Sequence, residues 1–198
     1  MGLPQRDRDY HTYGEYLTWP EDVHYELIDG VAYLMAPAPT LDHQDIVGEI
    51  YYQLRQELGD TPCRAYVSPV DVRLPKGDEA DEQVDTVVQP DVLVVCDASK
   101  TDRRGVRGAP DLAVEVLSSG TAGHDQVRKL RIYERAGVRE YWLVHPIDRV
   151  LTVYRLDQQG HYGKPDVSEL GGETPVAVLD DVVIRWDPLL ERLPAVEP

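Results

Sequence analysis

Long apolar segments are missing from this chain of 198 residues. No run approaches the roughly 18 consecutive apolar residues that a membrane-spanning helix requires. The N-terminal stretch, which includes Arg6, Asp7, Arg8 and Asp9, also lacks the apolar region of a signal peptide. We therefore expect a cytoplasmic protein that makes no contact with a membrane.

Cysteine is scarce as well. The two cysteines, Cys63 and Cys96, have neither the spacing of a metal site nor that of a redox pair. Their neighbours are small or apolar, so we expect two reduced residues that pack inside the protein. The histidines show no H-x-x-x-H or H-x-H spacing, which argues against a zinc site.

The chain also has fewer basic than acidic residues. The formal net charge is −16 at pH 7, which argues against a protein that covers itself with nucleic acid through a general basic surface. Any contact with nucleic acid must be local. The segment 77–85 carries part of the acidic excess, does not match a calcium loop, and is expected to be a solvated, mobile loop.

The predicted elements give a mixed α/β order without repeats or composition breaks. A β-hairpin is expected around Asp29-Gly30, because this pair supplies the positive φ angles of a type I′ turn. A helix over 42–58 follows, capped by Thr40 or Asp42 and stopped by Gly59. The other expected elements are strands over 65–74, 87–95, 112–117, 140–144 and 150–155, a helix over 122–136 closed by Gly137, and a tail over 176–190 that covers one sheet edge.

The segment from Leu112 to Val144 reads as a strand, a helix and a parallel return strand. With hairpins at the edges, this predicts the α/β class, with a mixed central sheet flanked by helices. The length suits one domain over 1–198, with its core at about 10–186.

Two acids lie in apolar runs of this pattern, where burial of a charge is unfavourable. Asp91 opens an apolar run after Pro90, and Glu115 lies in the middle of another. An unpaired charge there costs several kcal/mol, so each carboxylate needs a partner. If the strands are neighbours, both acids can bind Mg²⁺ or Mn²⁺. Asp91 is also consistent with a strand-start acid that accepts backbone hydrogen bonds.

Three further residues point toward the same place. Glu26 alternates with the apolar residues of the hairpin and is either a site acid or a surface acid. Lys129 lies on the helical face expected to pack on the sheet, so its ammonium either reaches a carboxylate site or extends to solvent. His43 faces inward with the apolar residues of the first long helix, as a core or supporting histidine.

Contacts with nucleic acid are indicated by an arginine stripe beside Lys129. Arg128, Arg131 and Arg135 recur along this helix, and few acids are positioned to neutralise them. Such a stripe beside a metal site could hold phosphates. It is equally what a solvated helix face looks like.

Several motifs together resemble a known family. They are Pro90-Asp91, Glu115 to Ser118, Lys129 followed by Tyr133, and Gly137 to Val144, with the hairpin from Glu26 to Gly30 and His43-Gln44 extending the match. In order and spacing they are similar to the Uma2 family, catalogued as a domain of unknown function and described as restriction endonucleases. The resemblance covers about Tyr10 to Trp186.

This resemblance implies a PD-(D/E)XK nuclease, with a restriction-endonuclease-like core and Mg²⁺-dependent hydrolysis of phosphodiesters. Asp91 would be the motif's Asp and Glu115 its second acid, with His43 and Tyr133 supporting them. The usual motif has Lys two residues after the second acid, where this chain has Leu117. In this family the lysine stands on the following helix, which makes Lys129 the replacement.

Two functions of different classes follow. The first is a metal-dependent endonuclease acting on nucleic acid, expected to be DNA. The second is a nuclease-fold module with little activity of its own, which binds or regulates. We also consider a homodimer, since a nuclease that cuts both strands often pairs two identical sites.

Overall fold

The structure is a computed structural model that describes residues 9–20, 25–35, 40–117 and 125–193. Its helices are α1 (Tyr13–Tyr16), α2 (Leu41–Leu58), α3 (Asp125–Ala136) and α4 (Asp187–Leu190). Its strands are β1 (Tyr25–Ile28), β2 (Val31–Leu34), β3 (Arg64–Val67), β4 (Val72–Arg73), β5 (Val87–Val88), β6 (Val92–Val95), β7 (Thr101–Asp102), β8 (Gly105–Arg107), β9 (Leu112–Val116), β10 (Glu140–His145), β11 (Val150–Arg155), β12 (Asp166–Glu169), β13 (Glu173–Pro175) and β14 (Val183–Arg185).

Most strands belong to two six-stranded sheets. The main sheet has the order β12-β11-β10-β9-β6-β3, and the second sheet has the order β2-β1-β5-β4-β8-β7. In the main sheet β9 and β10 run parallel, joined through α3, while their outer neighbours are antiparallel. The predicted crossover and the mixed α/β class are therefore confirmed.

The predicted hairpin and long helix are also confirmed. Asp29 and Gly30 both have positive φ, 49° and 77°, as a type I′ turn requires. Thr40 caps α2, since its side chain accepts a hydrogen bond from the backbone N–H of His43, and Gly59 follows the last turn. Part of the other predicted helix, residues 122–124, lies outside the described residues.

Two predicted strands are each divided between the sheets. The run 65–74 breaks at Ser68-Pro69 into β3 of the main sheet and β4 of the second, and the run 87–95 breaks at Pro90 into β5 and β6. Proline has no N–H for a sheet ladder, so each strand ends there and the chain changes sheet. The second break leaves Asp91 where the two sheets meet.

The main sheet is buried on both faces. On one face, α2 packs on alternate residues of the central strands, including Val92, Val114 and Trp142. The C-terminal tail joins this core through a set of apolar residues: Val176, Leu179, Val182, Ile184, Trp186 and Leu189. The sequence predicted a tail that covers a sheet edge. In the structure β12 and β3 are the edge strands of the main sheet, and the tail packs with α2 instead.

The opposite face packs against α3 and the second sheet. Leu93, Ala113 and Tyr141 of the main sheet meet Ile132 and Tyr133 of α3 in one apolar cluster. Residues of the second sheet, Ile28, Val72, Val88 and Val106, complete it. Among the described helices, none is long and apolar enough to span a membrane.

The two cysteines form a disulfide, contrary to the expectation of reduced residues. Arg64 pairs with Val95 at the end of the β3–β6 ladder, which places Cys63 and Cys96 next to each other across the two strands. They lie 33 residues apart in the sequence. Sequence spacing does not reveal this contact, because it depends on which strands pair.

The acidic segment 77–85 is more ordered than expected. Asp81, in a one-turn 3₁₀ helix, accepts hydrogen bonds from the guanidinium groups of the buried Arg73 and of Arg107. Asp85 accepts one from the ammonium of Lys76 at 2.7 Å. Two of its acids are therefore neutralised within the protein rather than solvated.

Candidate active site

Asp91 and Glu115 face each other across neighbouring strands. In the antiparallel β6–β9 ladder Val92 pairs with Val114, so the next pair is Asp91 and Glu115. The backbone N–H of Val116 donates to Oδ2 of Asp91 at 2.7 Å. Glu115 shares a strand face with Ala113, the face covered by α3.

Lys129 extends from α3 into this carboxylate pair. Its Nζ lies 2.9 Å from Oε1 of Glu26 and 3.0 Å from Oε1 of Glu115, and the side chain is about one-tenth exposed. Burial lowers the pKa of the ammonium, but Glu115 and Glu26 outweigh this and raise it above its usual value. Lys129 is therefore charged, and it does not extend to solvent.

Glu26 comes from the hairpin. It is buried, on the same face of β1 as Ile28, which packs in the cluster beneath α3. The backbone N–H of Gln89 donates to Oε1 of Glu26 at 2.8 Å. The second sheet thus places one carboxylate against the lysine while the main sheet places the other.

Tyr133 stands one turn beyond Lys129 and holds Glu115. Its hydroxyl donates to Oε1 of Glu115 at 2.9 Å. Burial is the main cause that raises the pKa of the Glu115 carboxyl to about 8; the charge of Lys129 opposes the rise, and the charges of Asp91 and Glu26 contribute to it. The cluster therefore has more negative charge than its single ammonium can balance.

His43 approaches Asp91 from α2, on the other side of the main sheet. It is buried, and its Nε2 lies 3.3 Å from Oδ2 of Asp91. Within the described parts of the chain its Nδ1 is buried without a hydrogen-bond partner. The inward orientation expected from the helical pattern is the one observed.

The carboxylates fit a hard divalent cation. The hydrogen bonds that they receive from described residues go to Oδ2 of Asp91 and Oε1 of Glu115, and no described residue donates to the other oxygen of either acid. No cluster of three or more His, Cys, Asp or Glu residues able to hold a metal occurs in the ranges described. Two carboxylates suffice for Mg²⁺, which keeps several waters and takes other oxygens from a substrate phosphate.

The arginine stripe divides into three different environments. The guanidinium of Arg135 donates to Asp29 at 2.7 Å, so an acid neutralises it, contrary to expectation. Arg131 is exposed. Arg128 is half-buried, with its Cζ 4.7 Å from the centre of the Tyr33 ring. The three therefore cannot be treated as one surface.

Sequence reasoning missed Gln89 and Tyr33 as neighbours of the site. Tyr33 pairs directly with Glu26 in the β1–β2 ladder. The two-residue Asp29-Gly30 turn fixes this register, so the hairpin prediction contained the signal. Gln89 makes its contact through its backbone N–H. This contact depends on the break at Pro90, so the pattern of side chains does not reveal it.

Comparison with solved structures shows that this chain shares its fold with another protein. A crystal structure described as "a putative nuclease belonging to DUF820", from Anabaena variabilis ATCC 29413, matches with a TM-score of 0.70. The match covers 91% of this chain and 97% of that one, at 21% sequence identity. At that identity the likeness shows the shared fold.

The family follows from the sequence. The Uma2 family model, whose description is "Putative restriction endonuclease", matches residues 13–186. The chain therefore belongs to the Uma2 family, as the motifs indicated. No curated protein matches it in sequence.

Proposed function

We propose that this protein is a metal-dependent endonuclease that hydrolyses phosphodiester bonds, with DNA as its substrate and Mg²⁺ or Mn²⁺ as its cofactor. The observation that carries the proposal is the buried Lys129 ammonium between Glu26 and Glu115, beside Asp91. Membership of the Uma2 family supports it.

In this proposal Asp91 and Glu115 hold the metal ion. When bound, such an ion lowers the pKa of a coordinated water and neutralises charge on the phosphate. Val116 and His43 contact Oδ2 of Asp91, and Tyr133 fixes Oε1 of Glu115, so both carboxylates are oriented before any ligand binds. Pre-oriented groups of this kind avoid the cost of reorganisation during reaction.

Lys129 supplies the positive charge that the chemistry needs. A phosphodiester gains negative charge as it is attacked, and an ammonium fixed beside it stabilises that charge or orients the attacking water. Glu26 completes the site by holding the ammonium of Lys129 as a second carboxylate beside Glu115. Lys129 thereby takes the role of the lysine that the usual motif places at position 117.

A nuclease-fold binding module is the second candidate. The net charge of −16 favours it, because general attraction of nucleic acid is absent. It predicts no cleavage of nucleic acid at any concentration of Mg²⁺ or Mn²⁺.

Cleavage of a plasmid and of labelled oligonucleotides with Mg²⁺ or Mn²⁺ tests the proposal. We expect the wild type to cleave, and Glu115→Ala and Lys129→Ala to lose cleavage. Glu169→Ala removes an exposed acid from the edge strand β12 and should keep wild-type activity. Full activity in Glu115→Ala would overturn the site assignment.

The broader expectations belong to the same proposal. We propose one domain over 1–198, a cytoplasmic location, and a homodimer when both strands of a duplex are cut. The Cys63–Cys96 disulfide counts against the cytoplasmic location, because a reducing compartment would keep these residues as thiols. Size-exclusion chromatography with light scattering measures the oligomeric state.

A further inference from the structure

Arg128 differs from the other arginines of α3 in how it is held. Its guanidinium lies over the face of the Tyr33 ring, 4.7 Å from the ring centre. No carboxylate in the described residues pairs with it, whereas Arg135 is paired with Asp29. A protein with this many acids therefore holds one cation against an uncharged ring.

The position of this cation is fixed relative to the candidate active site. Tyr33 is the direct cross-strand partner of Glu26, so the two side chains lie on the same face of the hairpin. Arg128 precedes Lys129, whose ammonium contacts Glu26. Consecutive residues of α3 thus meet two paired residues of the hairpin, so the ring beneath the guanidinium is the neighbour of a carboxylate of the cluster.

Stacking leaves the hydrogen-bonding edge of the guanidinium available. An arginine over an aromatic ring uses its flat face, while its N–H groups point outward in the plane. That edge matches two oxygens of a phosphate, and stacking restricts the side chain beforehand. The nearby acids Glu26 and Glu115 already contact Lys129.

We propose that Arg128, stacked on Tyr33, binds a backbone phosphate of the nucleic acid next to the phosphodiester that the site cleaves. This inference rests on the proposed function, and it assigns phosphate recognition to one arginine of the stripe. Arg131 contributes only diffuse charge, and Arg135 fixes α3 to the hairpin through Asp29.

Binding measured without catalysis tests this assignment. A short fluorescein-labelled DNA duplex and the matching single strand are titrated with protein in EDTA, and anisotropy is followed from low to physiological salt. We expect Arg128→Ala to weaken binding about tenfold and to reduce the slope of log affinity against log salt by about one. Arg131→Ala removes the same charge one turn away and should leave affinity nearly unchanged.

Variants of the ring separate the phosphate contact from simple charge. Tyr33→Phe keeps the stacking face and should bind like the wild type. Tyr33→Leu keeps every charge but releases Arg128, so its binding should weaken. Thermal unfolding checks that each variant is folded, and comparison of the two Tyr33 variants retains the test if one is destabilised.

Three results would overturn the assignment: no binding by the wild type, equal losses in Arg128→Ala and Arg131→Ala, or equal binding by the two Tyr33 variants. Its failure is distinguishable from failure of the proposed function. Binding that depends on Arg128 without cleavage in Mg²⁺ keeps the phosphate contact and rejects the nuclease. Cleavage by the wild type together with unchanged binding in Arg128→Ala keeps the nuclease and rejects the phosphate contact.

Discussion

Among single residues, Lys129 is the side chain on which the proposed function depends most. Its buried ammonium contacts Glu26 and Glu115, and the charge of Asp91 acts on Glu115 as well. One positive charge therefore faces three carboxylates. Burial raises the pKa of the Glu115 carboxyl, and the charges of Asp91 and Glu26 add to this rise. A purely structural ion pair would need only one acid, so the surplus is the feature that a bound cation explains.

Removing the lysine should therefore cost stability as well as activity. Lys129→Met leaves two buried carboxylates without their cation, which should lower the free energy of unfolding by about 3 kcal/mol. Glu115→Gln combined with Lys129→Met should regain part of that loss in urea unfolding. The double variant should still fail to cleave, whereas a role in packing alone would let cleavage return with stability.

The stability of the folded protein should depend on pH through Glu140, which lies outside the candidate active site. It is fully buried; burial raises the pKa of its carboxyl, although hydrogen bonds from Trp142 and Val178 and the charge of Arg155 oppose this. The folded protein thus keeps this proton to higher pH than the unfolded chain does. The stability from Glu140 is full below the unfolded pKa of about 4.3 and is lost as pH rises through the folded pKa.

Urea unfolding of the wild type and Glu140→Gln across this pH range measures the effect. The wild type minus variant difference in unfolding free energy should fall as pH rises. A difference that stays constant or grows with pH would contradict the raised pKa.

At the scale of elements, the sequence predicted those helices, strands and turns that are determined by local residue patterns. The hairpin, α2, β9 and the crossover to β10 follow from turn residues, caps and hydrophobic period, and all are observed. The breaks at Pro69 and Pro90 were missed, because an apolar run does not show that its two halves belong to different sheets. That missed change of sheet brings Glu26 of the second sheet to the carboxylates of the main sheet.

The disulfide should stabilise the fold without affecting the site. It closes a loop of 33 residues, for which loop-closure entropy predicts a contribution of about 3 to 4 kcal/mol. Cys96 follows the end of β6, whereas Asp91 precedes its start. Cys63→Ser with Cys96→Ser should therefore lower the urea midpoint and keep wild-type cleavage at temperatures where the variant is folded.

A reducing agent should shift the wild type toward the double variant and leave the double variant unchanged. Loss of cleavage in a fully folded double variant would contradict a purely stabilising role.

At the scale of the whole molecule, three separate parts of the fold build one cluster. Glu26 comes from the hairpin and Lys129 from the crossover helix. In the main sheet, Asp91 lies directly before β6 and Glu115 lies on the adjacent β9. The sequence indicated Asp91 and Glu115 from the cost of a charge in an apolar run. It indicated Glu26 from the alternation in the hairpin and Lys129 from its helical face. It could not give the atomic contacts, since those depend on the register of β6 with β9 and on how α3 packs.

Binding of Mn²⁺ by Asp91 and Glu115 can be measured through the loss of the free-ion signal in electron paramagnetic resonance. We expect one site per chain in the wild type, abolished by Asp91→Asn and retained in the surface control Glu169→Gln. Wild-type Mn²⁺ affinity in Asp91→Asn would contradict this assignment.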